Sequence, residues 1–247
     1  MTNHFKIIIP SYNNEKWLKV CIRSVKKQAY KNYQCIIIDD CSNDKSVKII
    51  EKEIAEHSSF LFIKNEERKL ALRNIYEAIT ISKPSPEDII ITLDGDDFLY
   101  GDEVLEKVND TYETTGCWLT YGSYAEFPHN HRGKFCKKIP DHIVENNSFR
   151  ESQWMSSHMR TFKVKLWNSI KKEDLLKDNG RFCDGAWDMV FMFPMLEMSG
   201  KRSEFIEDIL YIYNRSNPLN EDKVNHRKLM MSEQRIRQMK KYERLDL

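Results

Sequence analysis

Four predominantly apolar runs, at residues 5–9, 35–38, 60–63 and 89–93, are spaced so that one helix fits between each pair. The stretches between them supply those helices. Trp17, Leu18, Cys21, Ile22 and Val25 recur at helical spacing and give one buried face. Residues 46–56 do the same through Val47, Ile50 and Ile54, and residues 70–81 turn Ala71, Ile75, Ala78 and Ile79 inward. Pro10 ends the first run, and Asn13 or Asn14 is placed to cap the helix after it. Pro84 and Pro86 break the chain before the fourth run. The order is β-α-β-α-β-α-β. Strands that are apolar without alternation, joined by amphipathic helices, specify an α/β fold whose parallel sheet is covered on both faces. With 247 residues, 40% of them apolar and 31% charged, the chain can bury one such core. Ligands of such sheets bind beyond the carboxyl ends of the strands, so polar residues there are the functional candidates.

Three strand ends carry polar sets: Pro10-Ser11-Tyr12-Asn13, Asp39-Asp40-Cys41-Ser42-Asn43-Asp44 and Asp94-Gly95-Asp96-Asp97. Three carboxylates within four residues, past a buried strand, repel one another in a dry site. A hard divalent cation such as Mg²⁺ or Mn²⁺ removes that cost, with phosphate oxygens completing its shell. Taken alone, the stretch also reads as an acidic turn. The chain has neither GxGxxG nor GxxxxGK[ST], which counts against a dinucleotide-binding Rossmann domain and a P-loop NTPase. A formal charge of +1 gives no global pull toward nucleic acid. No apolar run approaches the roughly 20 residues that span a bilayer, and the first residues lack a signal-peptide pattern. A cytosolic location is the expectation. The six cysteines show neither CxxC pairing nor zinc spacing, and reduced thiols are expected.

Residues 7–13, Ser24-Val25, Gln28-Ala29-Tyr30, residues 36–44 and Asp94-Gly95-Asp96-Asp97, in this order and spacing, resemble glycosyltransferase family 2 over roughly the first 100 residues. The resemblance implies a GT-A fold, with a Rossmann-like, mostly parallel central sheet flanked by helices. It implies one domain over residues 1–220, with a nucleotide-sugar half (1–100) and an acceptor half (101–220), followed by a basic helix at 221–247. It implies a nucleotide-diphospho-sugar donor, an Mn²⁺ or Mg²⁺ cofactor and inversion at the anomeric carbon. By position, Pro10 and Tyr12 line the base, with Asn13 in the same stretch. Asp40 matches the residue that binds uracil, which favours UDP. Asp94 and Asp96 match the DxD motif around Gly95. Asp96 is then a metal ligand, Asp94 faces the ribose or the metal's waters, and Asp97 takes either role. Lys69 and Arg73 stand where the family often has a basic residue near the nucleotide; a solvated helix face is the other reading.

In the second half, residues 99–109 read as a helix opened by Asp102, residues 118–121 as a strand continued by 123–127, and residues 128–150 as an irregular acceptor loop. His129, His131 and His142 read as surface histidines. His158-Met159-Arg160-Thr161-Phe162 resembles a stretch that, in part of the family, lies near the diphosphate. His158 then contacts a phosphate oxygen or the metal, and Arg160 offsets the leaving group's charge. Asp188 precedes a dense apolar helix with Pro194 inside it and by position is the general base; capping that helix is the structural reading. The family usually has two acids here, whereas this chain has Trp187-Asp188, which leaves Trp187 to stack on an acceptor sugar. Many members carry a histidine after the last strand. Asn214, Arg215, Ser216 and Asn217 stand there instead, leaving Asn217, His158 or water as the third metal ligand. Residues 222–247 read as a basic helix, either packed on the domain or in peripheral contact with an anionic membrane. The expected activity is inverting, metal-dependent transfer from a UDP-sugar to a glycan, lipid-linked or protein acceptor, in glycan or polysaccharide synthesis, with no nucleic acid involved. A sugar-phosphate nucleotidyltransferase and a non-catalytic nucleotide-sugar binder are the alternatives.

Overall fold

The computed structural model describes residues 2–246. Its first half runs β1 (Phe5–Ser11), α1 (Leu18–Lys26), β2 (Tyr33–Asp39), α2 (Ser46–Ile54), β3 (Phe60–Lys64), α3 (Ala71–Ser82) and β4 (Ile89–Thr92). The second half continues with β5 (Phe98–Leu99), α4 (Val104–Thr115), β6 (Leu119–Phe127), β7 (His131–Arg132), α5 (Asp141–Glu145), β8 (Thr161–Lys163) and α6 (Val164–Asn168). Then come α7 (Trp187–Ser199), β9 (Ser203–Asn214), α8 (Glu221–Val224) and α9 (His226–Gln238). One sheet has the order β3-β2-β1-β4-β8-β6-β9-β5, with β7 paired to β6. β1 to β4 are mutually parallel, and β8 lies antiparallel between β4 and β6.

The period of two along each strand divides the core between the two faces of the sheet. Ile8, Ile36, Ile38 and Ile90 pack with α3, α6 and α7, while Ile7, Ile9, Cys35, Ile37, Ile89 and Ile91 pack with α1, α2 and α4. Burying each such side chain contributes roughly 1.5–3 kcal/mol. α7 is buried on every side from Met189 to Ser199, and its apolar run through Pro194 makes it the central helix of its layer. This is the α/β fold with a covered, mostly parallel sheet that the strand pattern specifies.

Several local expectations are corrected. Phe98 and Leu99 are strand, held by pairing with Ile212 and Tyr211 of β9, so α4 begins only at Val104. Residues 128–150 contain β7 and α5. Neither Asn13 nor Asn14 caps α1 through its side chain. The Asn14 carbonyl accepts from the Trp17 and Leu18 amides, both at 2.9 Å, while its side chain turns to Ser11. The C-terminal helix ends at Gln238, and residues 239–246 form no regular secondary structure. Among the described residues, all six cysteines are free and no helix is long and apolar enough to cross a membrane.

Candidate active site

A cleft of about 1020 Å³ opens across the carboxyl ends of β1, β2 and β4. Pro10, Tyr12, Asp40, Asp94 to Asp97, His158, Arg160, Trp187 and Asp188 all line it, so three separate strand ends and two later segments meet in one place. The acidic turn sits tightly against β1. A Cβ on Gly95 would come within 2.7 Å of Ser11 Cβ and 2.8 Å of Ser11 Oγ, so only glycine lets β4 end this close to β1.

The turn is clasped from the far end of the chain. Tyr211 donates to Asp97 Oδ2 at 2.7 Å, and the Asn214 amide donates to Asp97 Oδ1 at 2.7 Å. Asn217 Nδ2 donates to Asp96 Oδ2 at 2.6 Å, and Asn214 Nδ2 donates to the Asp96 carbonyl at 3.2 Å. Each oxygen of Asp97 thus accepts one hydrogen bond that holds β9 against the turn and keeps a lone pair. Burial pushes Asp94 up to about 7, with the Asp96 charge adding, Arg160 opposing and Asp188 adding again. Burial raises Asp96 too, against the Asn217 hydrogen bond, and raises Asp97 further, helped by its two acidic neighbours.

His158 lies flat on Tyr211, ring centroids 4.3 Å apart, and near-parallel to Tyr213 at 5.5 Å. Burial, and then the charge of Arg160, hold it well below the usual imidazole range, so it is neutral and its Nδ1 finds no partner. One donor atom each from Asp94, Asp97 and His158 lies within 4.8 Å of the others. Two desolvated carboxylates and a neutral imidazole with an open nitrogen fit a divalent cation. Asp96, the expected ligand, is outside this cluster, because Asn217 draws its carboxylate away.

Arg160 is 2% exposed. Its Nη1 donates to Asp188 Oδ2 at 2.7 Å, and its Nε finds no partner. Asp188 lies in the first turn of α7, entered through Ala186 at φ 47, and its Oδ1 accepts from the Met189 amide. Trp187 stands on the cleft side of that turn, its ring 5.7 Å from the Arg160 guanidinium carbon.

At the β2 end, Asp40 accepts from Asn65 Nδ2 (3.0 Å), Arg68 Nε (3.0 Å) and the amides of Lys69 (2.8 Å) and Leu70 (2.9 Å). Burial works to raise its pKa, but the donors packed around it outweigh burial and hold it below the usual range. The Arg68 guanidinium lies over the Tyr12 ring, 3.3 Å from its centroid. Lys69 and Arg73 both pair with Glu77 at 2.8 Å and do not line the cleft; Arg68, one residue earlier, is the cation that reaches it. Asn13 also lies outside the lining, its side chain accepting from the Asn43 amide.

The sequence matches the profile of Glycosyl transferase family 2 over residues 6–172. The chain belongs to glycosyltransferase family 2. Its match to an uncharacterized glycosyltransferase of Haemophilus influenzae is 34% identical over 121 residues, covering 48% of this chain and 46% of that protein. The glycosyltransferase GlyG of Streptococcus pneumoniae is 24% identical over 226 residues, 87% of this chain and 72% of GlyG. Glucosyl-3-phosphoglycerate synthase of Mycobacterium tuberculosis, solved with Mn²⁺, UDP and glucosyl-3-phosphoglycerate, superposes with a TM-score of 0.64 at 12% identity, covering 96% of this chain and 81% of that one. That likeness shows the GT-A fold. In this family 2 domain the acidic turn is fastened through Asn214 and Asn217. Arg68 and the β9 tyrosines were not legible as site residues. Arg68 stands in a charged run, Glu66-Glu67-Arg68-Lys69, that gives no sign of which side chain turns inward.

Proposed function

We propose that this domain transfers a sugar, with inversion, from a nucleoside-diphospho-sugar to an acceptor hydroxyl in glycan or polysaccharide synthesis. The observation that carries the reading is Asp188, held by the buried Arg160 in the same cleft as the acidic turn. The donor's base belongs beside Tyr12, Pro10 and Asp40, and the Asp40 position favours UDP. Asp94, Asp97 and His158 would hold Mn²⁺ or Mg²⁺, with Asp96 in reach once the Asn217 contact is released. A cation bound there supplies positive charge to the diphosphate.

The remaining work falls to the chain itself. Arg160 has an unpartnered Nε in a buried site, so a phosphate oxygen gives it the partner it lacks. Turning toward the leaving diphosphate loosens its hold on Asp188. Asp188 then accepts the proton of the attacking hydroxyl, a contribution of typically about 10²–10⁴-fold. Attack from the opposite face displaces the diphosphate in one step and requires no nucleophile from the protein. Trp187 offers the acceptor sugar an apolar face.

The test is a panel of UDP- and GDP-sugars with Mn²⁺ or Mg²⁺, reading the free diphosphate released. Release from UDP-sugars ahead of GDP-sugars, abolished by chelation, is expected. Tight nucleotide-sugar binding without release from any donor would replace this reading with a non-catalytic binder.

A further inference from the structure

One acid in the cleft has no part in the scheme above. Glu221 opens α8 and lines the same cleft as Asp94 and Asp188, half-buried. It stands against the loop that leads into Asp188. A Cβ on Gly185 would lie 2.7 Å from Ser232 Oγ and 3.4 Å from Glu221 Oε1, so the glycine lets α8 and α9 close on that loop. Further contacts fix the closure: Lys228 of α9 pairs with Asp184 at 2.8 Å, and Arg235 donates to Cys183 Sγ at 3.5 Å. The place of Glu221 is therefore set by packing rather than by its own bonds. Among the described residues no hydrogen bond to its carboxylate is found, whereas both oxygens of Asp188 are engaged. A half-buried carboxylate without a donor, in the same cleft as another carboxylate, is unfavourable until a hydroxyl arrives to bridge them.

We propose that Glu221 and Asp188 form a carboxylate pair that holds the attacking hydroxyl and shares its proton. The inference rests on the glycosyl-transfer reading. The acceptor O–H bond breaks as its oxygen bonds to the anomeric carbon. The bond from that carbon to the phosphate oxygen breaks, and its electron pair leaves with the nucleoside diphosphate. The proton stays on the pair until solvent removes it. Among the described residues, the charges that weigh most on Glu221 are Asp188 of α7, Lys228 of α9, Asp184 in the preceding loop and Asp94 at the end of β4. Burial and the three acids together outweigh Lys228 and push Glu221 up to about 7. Glu221 is thus matched to a proton taken near neutral pH.

The test uses the full chain and two readouts. Carboxyl ¹³C NMR without ligands, assigned through Glu221→Gln, should show Glu221 titrating near pH 7, and about a unit lower in Asp188→Asn. Hydrolysis of UDP-glucose and UDP-N-acetylglucosamine with Mn²⁺, water being the acceptor, should fall by about 10²-fold in kcat in Glu221→Gln. Its KM should stay within about twofold and its limb near pH 7 should disappear, while Glu221→Asp keeps part of the rate. A Glu221 that titrates in the ordinary carboxylate range regardless of Asp188 would overturn the pair. So would a Glu221→Gln enzyme with the wild-type rate and profile. A wild type that consumes no donor counts against the transfer reading instead, and the NMR coupling then decides the pair alone.

Discussion

At the scale of single residues, the site is governed by desolvated acids. Asp94 has a folded pKa near 7 against an ordinary 3.8, because burial penalises its charged form. A group raised in this way contributes stability that is complete below its unfolded pKa and is lost as pH rises through its folded one. The window is therefore pH 4 to 7 and slightly above. A cation that binds the ionised form reverses the loss. Mn²⁺ with UDP should accordingly raise the Tm more at pH 8 than at pH 5.5, and Asp94→Asn should erase the difference. An equal shift at both pH values would contradict the role given to Asp94. Asp188 carries a second prediction. Asp188→Asn removes the proposed base and the counter-charge of a buried arginine together. Donor turnover should drop by about 10²-fold or more, and urea denaturation should show a loss of about 1–3 kcal/mol. Retained turnover would sink the assignment of Asp188 as base.

At the scale of elements, what the sequence made legible depended on how local each cause is. β1, β2 and β4 were legible because an unbroken isoleucine run is apolar on both sides whatever it pairs with. The acidic turn was legible because its spacing places three charges past such a run. β5 was not: Phe98 and Leu99 become strand only by pairing with β9, far along the chain. Arg68 is a site residue only because Asp40 gathers the 65–70 loop around itself. Lys69 and Arg73 fit a basic position by spacing, yet Glu77, at i+4 from Arg73, takes both. The closeness of the β1 and β4 ends gives a prediction of its own. Gly95→Ala places a methyl 2.7 Å from Ser11 Cβ, which belongs to a strand and has no room to retreat. A loss of about 1–3 kcal/mol is expected, along with weaker UDP–Mn²⁺ binding in calorimetry, because the turn must move off β1. Unchanged stability and affinity would mean that the turn is not held where it lies.

At the scale of the whole molecule, the C-terminal segment acts as a strap, and four of its basic residues are tied to carbonyls of the domain. Arg235 donates to the Leu176 carbonyl, Arg237 to the carbonyls of Arg150 and Ser152, Lys241 to that of Asn147, and Arg244 to that of Val144. Cations committed in this way contribute little to a membrane-facing patch. The knot of the strap is the Arg150–Glu197 pair, with side chains 2% and 0% exposed. Arg150 also donates to the Ile236 carbonyl of α9, and Glu197 also accepts from the Tyr242 amide of the tail. Removing one member of a buried pair leaves the other charge stranded, at a cost of about 3–5 kcal/mol, whereas replacing both with apolar groups is often neutral. Here neutrality is out of reach, because the double change also strands the Tyr242 amide. Glu197→Ala should therefore destabilise by about 3–5 kcal/mol, and Arg150→Met with Glu197→Leu should recover only part of that. The same strap holds α8, and with it Glu221, over the loop that leads into Asp188. In Glu197→Ala, donor turnover should fall at temperatures where circular dichroism still reports a folded sheet. Turnover that declines only together with the global transition would mean that the strap stabilises the domain without shaping its site.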